Sequence, residues 1–378
     1  MDIPITFVTQ NDMSATLITS KNPSPRTQPV GKCPLCNSPA SSEYFTAPDR
    51  LHGVSGWFTY RRCRDCRTVF QDPRVIADDL AVCYPANYFT HIAQESSGKK
   101  LEIDVLNGES DEPSVLRELR DQIRELIKRR VQGKPVTQKS WGVLASLFAR
   151  SARLRERAFY NIVPDDLLPK KTEMTKALEI GCGAGQTLVK LLQVGWEVEG
   201  VEWDAQAARL ARQISGQTVW EGDFRTVNLP LREYGLVYLH HVFEHIDNSR
   251  DALRRIYDLL APGGRAVIIY PNPNSLGAKI YGDAWFPWEV PRHLVIPPAK
   301  AVMNIAEQLG FYPMRLSVSA KDAAYFFALS RTYSLGKPVN ESQPDIRARD
   351  TLLAIGENLL IKLFPSLGEE ISLVLVKK

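Results

Sequence analysis

The sequence predicts an α/β fold: a seven-stranded, mostly parallel sheet with helices on both faces, preceded by a small cysteine-containing module and a helical linker. Three observations predict it. From Lys176 onward, short apolar strands alternate with helical segments, the pattern of a mostly parallel sheet covered on both sides. Between the first strand and the first helix stands "EIGCGAGQ", with Gly181, Gly183 and Gly185 at alternate positions. Far upstream, four of the six cysteines fall into two CxxC pairs. At 378 residues, 44% hydrophobic and 24% charged, the chain has length for two or three units and an ordinary globular composition. A net charge of +4 does not indicate a nucleic-acid partner. No apolar run approaches the ~20 residues of a membrane span.

Residues 1–30 end in "SKNPSPRTQPV", rich in Pro, Ser and Thr without periodicity, and read as a flexible tail. The first residues lack the basic and apolar regions of a secretory signal, so reduced thiols and a cytoplasmic location are expected. Residues 31–91 form the cysteine module. Cys33 and Cys36 ("CPLC") and Cys63 and Cys66 ("CRDC") are separated by twenty-six residues. Each CxxC turn aims two thiolates at one point, and two such turns complete a tetrahedral four-sulfur zinc site. A closed shell of four thiolates has no open position, so the zinc of this zinc ribbon is expected to be structural. The spacer is long for a ribbon and has room for a hairpin.

Residues 92–170 read as a helical linker or cap, with helical spacing at Val115, Leu116, Leu119, Ile123, Leu126 and Ile127 and a second helix near 141–163. Between Arg117 and Arg157 stand twelve Lys/Arg against four Asp/Glu. A solvated helical linker is the plain reading; the alternative is a basic contact with an anionic substrate or, peripherally, a membrane surface.

Residues 171–378 carry the sheet. Strands are predicted at 176–180, 196–201, 218–221, 234–239, 265–270, 314–320 and 370–376, and helices at 186–194, 205–213, 248–260 and 298–309. A helical insertion at about 321–368 contains the amphipathic "TLLAIGENLLIKLF". Glycines at the first strand–helix turn let the backbone approach a ligand at the carboxyl end of the sheet. The dinucleotide fingerprint GxGxxG fails here, because Gln186 stands three residues after Gly183.

What stands instead, Glu179-x-Gly181-x-Gly183-x-Gly185, resembles the first motif of class I S-adenosylmethionine (SAM)-dependent methyltransferases. The second strand ends in "GVEWD", the third in "EGDF", and "LAPGG" is similar to the turn before the fifth strand of that family. The resemblance covers residues 176–320 and implies a Rossmann-like fold and a SAM cofactor. It implies cofactor contacts from Glu179, Gly181, Gly183, Gly185, Glu202, Trp203, Asp223, Phe224 and His240, with Glu202 taking the ribose hydroxyls and Trp203 facing adenine. The fourth strand departs from the family, beginning Tyr234-Gly235 rather than with an aromatic–Asp pair. A zinc ribbon ahead of this domain resembles bacterial sugar methyltransferases.

Methyl transfer to a hydroxyl is an in-line displacement that also removes a proton. "HHVFEH" follows the fourth strand and offers His240, His241, Glu244 and His245. His245, then His241, is the candidate general base, titrating near neutral pH; Glu244 would orient an imidazole or bind a substrate hydroxyl. Aromatics of "YGDAWFPWEVPRH" would either stack on the acceptor or pack as a lid. The expected function is SAM-dependent methyl transfer to a small-molecule or carbohydrate acceptor, with O-methylation favoured. The alternatives are a zinc-containing RNA methyltransferase and a non-catalytic SAM-binding module.

Overall fold

A computed structural model describes residues 24–84, 174–193, 195–337, 339 and 344–378. The linker expected at 92–170, the two helices predicted in it and the surface contact expected of residues 117–157 lie outside the described residues, as does most of the N-terminal tail.

In chain order the first strands are β1 (Thr27–Gln28), β2 (Ser41–Pro48), β3 (Trp57–Cys63), β4 (Val69–Gln71) and β5 (Arg74–Val75). The hairpin anticipated in the cysteine spacer is β2–β3, antiparallel from Ser41↔Cys63 to Pro48↔Trp57. The second part of the chain supplies β6 (Lys176–Ile180), α1 (Gln186–Gln193), β7 (Glu197–Glu202), α2 (Ala205–Ser215), β8 (Val219–Glu221), β9 (Tyr234–His240), α3 (Ser249–Leu259) and β10 (Leu260–Pro271). It continues through α4 (Leu276–Tyr281), β11 (Val295–Ile296), α5 (Ala299–Gln308), β12 (Phe311–Ser319), α6 (Ala323–Ser334), α7 (Ala348–Leu360) and β13 (Glu370–Lys377).

Seven strands form one sheet in the order β8-β7-β6-β9-β10-β13-β12. Strands β6 to β10 pair in parallel, whereas β13 runs antiparallel to both β10 and β12. The chain enters at β6, winds outward to β8, then returns to β9 on the other side of β6. That reversal opens a crevice over the carboxyl ends of β6 and β9, where ligands of such sheets bind. The central strands are apolar on both faces, as in Leu236, Val237, Tyr238 and Leu239, all buried, because helices cover both. Asp204 caps α2 by accepting from Ala207 N at 2.7 Å, and Gly216, at φ 67°, ends it.

The cysteine module is not a free-standing unit. Strand β11 completes its sheet, pairing Val295 with Phe70 and Ile296 with Val69, to give the order β11-β4-β3-β2. Cys33, Leu35, Cys63 and Phe70 share one apolar core with Leu178, Val237, Ile256 and Leu294. A boundary drawn between residues 91 and 171 therefore cuts through a common core. The insertion between β12 and β13 holds α6 and α7, and α6 brings Tyr325 and Phe326 toward the crevice.

Candidate functional site

A cavity of about 620 Å³ occupies the crevice, within the ordinary range for a small-molecule site. One end is lined by Gly181, Gly183, Glu202, Trp203, Asp223, Phe224 and Arg225; the other by His240, His241, His245, Glu289, His293 and Phe286.

At the first end, Gly181 and Gly183 adopt φ of 70° and 51°, in the left-handed region that glycine enters without strain. A Cβ at Gly181 would also come within 2.5 Å of Val242 Cγ2, so this turn closes only around glycine. Gly185 does a different job. A Cβ there would lie 2.9 Å from Ala211 Cα, so its bareness lets α1 pack on α2, and it does not reach the cavity wall. Glu202 is fixed at both oxygens: Gly183 N donates to Oε2 at 2.8 Å and Asp204 N to Oε1 at 3.0 Å. Its remaining lone pairs are those available to a ligand's hydroxyls. Trp203 is exposed beside it. The Asp223 carboxylate is already clasped by Arg225, Nε at 3.0 Å and Nη2 at 2.6 Å, and Arg225 reaches on to Asp247. Asp223 thus shapes the wall as half of an ion pair rather than as a free acceptor.

Glu179 lies behind the glycine turn, 4% exposed, and does not line the cavity. Burial pushes its carboxyl up to about 8, against a hydrogen bond from Thr187. Its Oε2 has no partner.

The histidine end is wired more closely than the sequence suggested. His240, at the exposed end of β9, is held below the ordinary histidine range by partial desolvation and by neighbouring His241. Burial opposes charge on His241 too, but Glu244 Oε1 at 3.2 Å and Glu370 Oε2 at 3.1 Å outweigh it and raise the imidazole to about 10. Glu244 itself is fully buried behind the wall. It orients His241 and offers nothing directly to the cavity. His245 Nδ1 lies 3.2 Å from the Arg292 carbonyl and 3.0 Å from Tyr84 Oη. Burial first, then the charge of His293, depress His245 to about 4. The expectation that His245 titrates in the ordinary histidine range is corrected: it is neutral well below pH 7 because its surroundings exclude a second positive charge.

Those surroundings are Glu289, Arg292 and His293. Arg292, fully buried, binds Asp49 through two nitrogens at 3.0 and 3.1 Å, Glu289 Oε1 at 2.9 Å and the Cys83 carbonyl at 3.1 Å. Glu289 and His241 are non-glycine residues with positive φ, 38° and 52°, backbone strain that the surrounding ion pairs hold in place. Trp285 and Trp288 of the same loop are core, not lid: Trp285 Nε1 donates to Glu369 at 2.6 Å and Trp288 packs against Phe45. Of the loop's aromatics, Phe286 faces the cavity, with Tyr325 and Phe326. The sequence reading missed Asp49, Arg225, Glu289, Arg292 and Glu370. Glu289-x2-Arg292-His293 is a visible acid–base cluster; Asp49 and Glu370 carry no local signal.

In the module, the four Sγ atoms lie within 4.8 Å of one another, with Cys33–Cys66 and Cys36–Cys63 at 3.6 Å. Tetrahedral thiolates ~2.3 Å from a zinc ion sit roughly 3.8 Å apart, so the residues fit that metal. Both CxxC turns close identically, Asn37 N on Cys33 O and Arg67 N on Cys63 O, with Asn37 and Arg67 at φ 63° and 65°.

Residues 145–316 match the methyltransferase domain family. Uncharacterized methyltransferases of Mycobacterium bovis and Mycobacterium tuberculosis are each 30% identical over 130 residues, 33% of this chain and 65% of theirs. An uncharacterized methyltransferase of Geobacillus kaustophilus is 33% identical over 94 residues, 24% of this chain and 44% of its own. The chain spans less than two thirds of the length of these curated relatives. A crystal structure of a SAM-dependent methyltransferase from Archaeoglobus fulgidus is 19% identical, covering 63% of this chain and 99% of that one, at a TM-score of 0.40. The matched segment, residues 145–316, contains β6 to β11 with the glycine turn between β6 and α1, so this part of the chain is similar to methyltransferase domains.

Proposed function

We propose that the protein transfers a methyl group from SAM to a hydroxyl of a small-molecule or carbohydrate acceptor, with a structural zinc ion in its cysteine cluster. The observation that carries this reading is one cavity whose walls include a glycine turn, an anchored Glu202 and the imidazoles of His240, His241, His245 and His293. SAM bound at the glycine end would supply an electrophilic methyl group. Gly181 and Gly183 leave space for the ligand backbone-close, Glu202 accepts from ribose hydroxyls, and Trp203 offers a face for adenine. The acceptor then occupies the histidine end, aligned by the walls. An alcohol oxygen gaining a methyl group becomes a strongly acidic oxonium, so even a weakly basic imidazole can take its proton as the bond forms. His245, neutral and on the cavity wall, is that acceptor of the proton. His241, charged between two carboxylates, is not.

Incubation with methyl-labelled SAM and extracts of small metabolites and glycans, followed by mass spectrometry, identifies the product. Label in RNA instead would overturn the acceptor assignment. By calorimetry, Glu202→Ala should weaken SAM binding by about 1–3 kcal/mol; unchanged affinity would remove Glu202 from the cofactor site.

A further inference from the structure

We propose that His293 is the positioning residue of this site: an imidazolium clamped by Pro287, Glu289 and Glu244 that holds the neighbouring His245 ring uncharged, while the Arg292 carbonyl sets that ring's tautomer. The His293 ring meets acceptors at both nitrogens. Nδ1 donates to the Pro287 carbonyl at 2.8 Å, while Nε2 stands 3.3 Å from Glu289 Oε2 and 3.9 Å from Glu244 Oε1. A ring with only acceptors around it is satisfied when doubly protonated. His293 is 4% exposed, so its charge acts through a poorly screened interior.

His245 lies edge-on to it, ring centroids 4.5 Å apart at 80°. The Arg292 carbonyl can only accept, so it takes the Nδ1 hydrogen of His245 and leaves Nε2 as the basic atom. The charged and titratable groups facing His245 come from four places. They are Glu244 on its own turn, Glu289, Arg292 and His293 of the following loop, Tyr84 of the cysteine module, and, through Arg292, Asp49. The backbone is fixed as well, since Tyr60 Oη donates to the His293 carbonyl at 2.8 Å and Gln71 N to that of Leu294 at 2.9 Å. Burial works against charge on both partners, yet their attraction holds His293 above and Glu289 well below their ordinary ranges.

The use of this arrangement rests on reading His245 as the proton acceptor, but its test does not. The full-length protein with ¹⁵N-labelled histidine is titrated by NMR. His293 should be doubly protonated through neutral pH, and His245 neutral with hydrogen on Nδ1. In His293→Gln, which keeps a donor for Pro287 without the charge, the midpoint of His245 should move up by roughly one unit or more, a tenfold change in proton affinity. His293→Asn, likewise uncharged, should move it the same way and serves if the first variant does not fold; Glu289 is left in place because its own charge raises His245. In the active enzyme, the low-pH limb of kcat should shift with the NMR midpoint while KM for SAM stays put. An unchanged His245 midpoint in a folded variant overturns the proposal. So does a neutral His293 in the parent, or a second bound divalent ion lost in His293→Gln, which would make the ring a metal ligand. A protein with the expected titration and no methyl transfer would defeat the functional reading and leave this inference standing.

Discussion

Asp49 and Arg292, 243 positions apart, form a two-oxygen ion pair with both side chains fully buried. Asp49 also accepts from Leu51 N and His52 N, which fixes the turn after β2. The pair ties the cysteine module to the loop that carries Glu289 and His293. Removing one partner of a buried pair leaves the other charge stranded, so Asp49→Asn should cost about 3–5 kcal/mol in denaturant unfolding. Burial opposes the Asp49 charge, but Arg292 prevails and holds its carboxyl below the ordinary range. Its contribution should be complete above pH ~4 and fade as acid protonates it. A loss under about 1 kcal/mol would mean that the pair is solvated.

Glu179 should make the fold respond to pH in the opposite sense. Its carboxyl ionises near 4.5 when unfolded and near 8 when buried, so the folded chain holds a proton that the unfolded chain has released. Stability should therefore fall as pH climbs from about 4.5 to about 8. Glu179→Gln is close in shape to the protonated acid, and should flatten that decline and raise the melting temperature at pH 8. A parallel pH dependence in parent and variant would show Glu179 ionised in the fold.

The cysteine cluster should contain one zinc ion per chain by elemental analysis, and Cys63→Ser should lose it. Because Cys63 shares a core with Phe70 and Leu294, the loss should destabilise the loop at 286–296 along with the module, visible as hydrogen exchange at both. A metal-free protein with unaltered protection would separate the cluster from the site. Chelation that abolished turnover while leaving fold and SAM affinity intact would make the metal catalytic.

Much of this was readable from residue order. The alternation of strand and helix placed the starts of five of the seven sheet strands within two residues, because strands buried on both faces announce themselves as runs such as "YGLVYL"; β10 begins at Leu260, ahead of its apolar run at Arg265. Strand β12 begins earlier than its apolar pattern, at Phe311 rather than Met314, since pairing with β13 extends it through Pro313 and a register shift. The glycine turn and its acid were visible as spacing. What could not be read was depth. Glu202 and Glu179 look alike in sequence, yet one faces the cavity and the other is buried behind it. His241 and His245 differ by four positions, yet stand at opposite ends of the protonation scale, because Glu244 and Glu370 raise the first while burial and the charge of His293 lower the second; Glu370 and His293 arrive from far along the chain. No local pattern encodes such distant neighbours.

His245→Asn should separate binding from chemistry. Asparagine keeps similar bulk and a side-chain donor for the Arg292 carbonyl, but it cannot take a proton near neutral pH. SAM affinity should stay close to the parent's, because the contacts proposed for SAM come from Glu202, Trp203 and the glycine turn. Turnover should fall by ~10²–10⁴-fold, the usual contribution of a general base. The pH profile carries the sharper information. With His245 depressed to about 4, the parent's rate should be level through neutral pH and drop only as acid protonates the ring near pH 4. This places the limb well below the ~6.5 of an unperturbed histidine. The variant should be slow at every pH and lack the limb. A parent limb near 6.5 would mean that the site is more solvated than its buried neighbours indicate. Equal rates in parent and variant would show that alignment alone drives the displacement, and a variant that no longer bound SAM would assign the histidine to the cofactor.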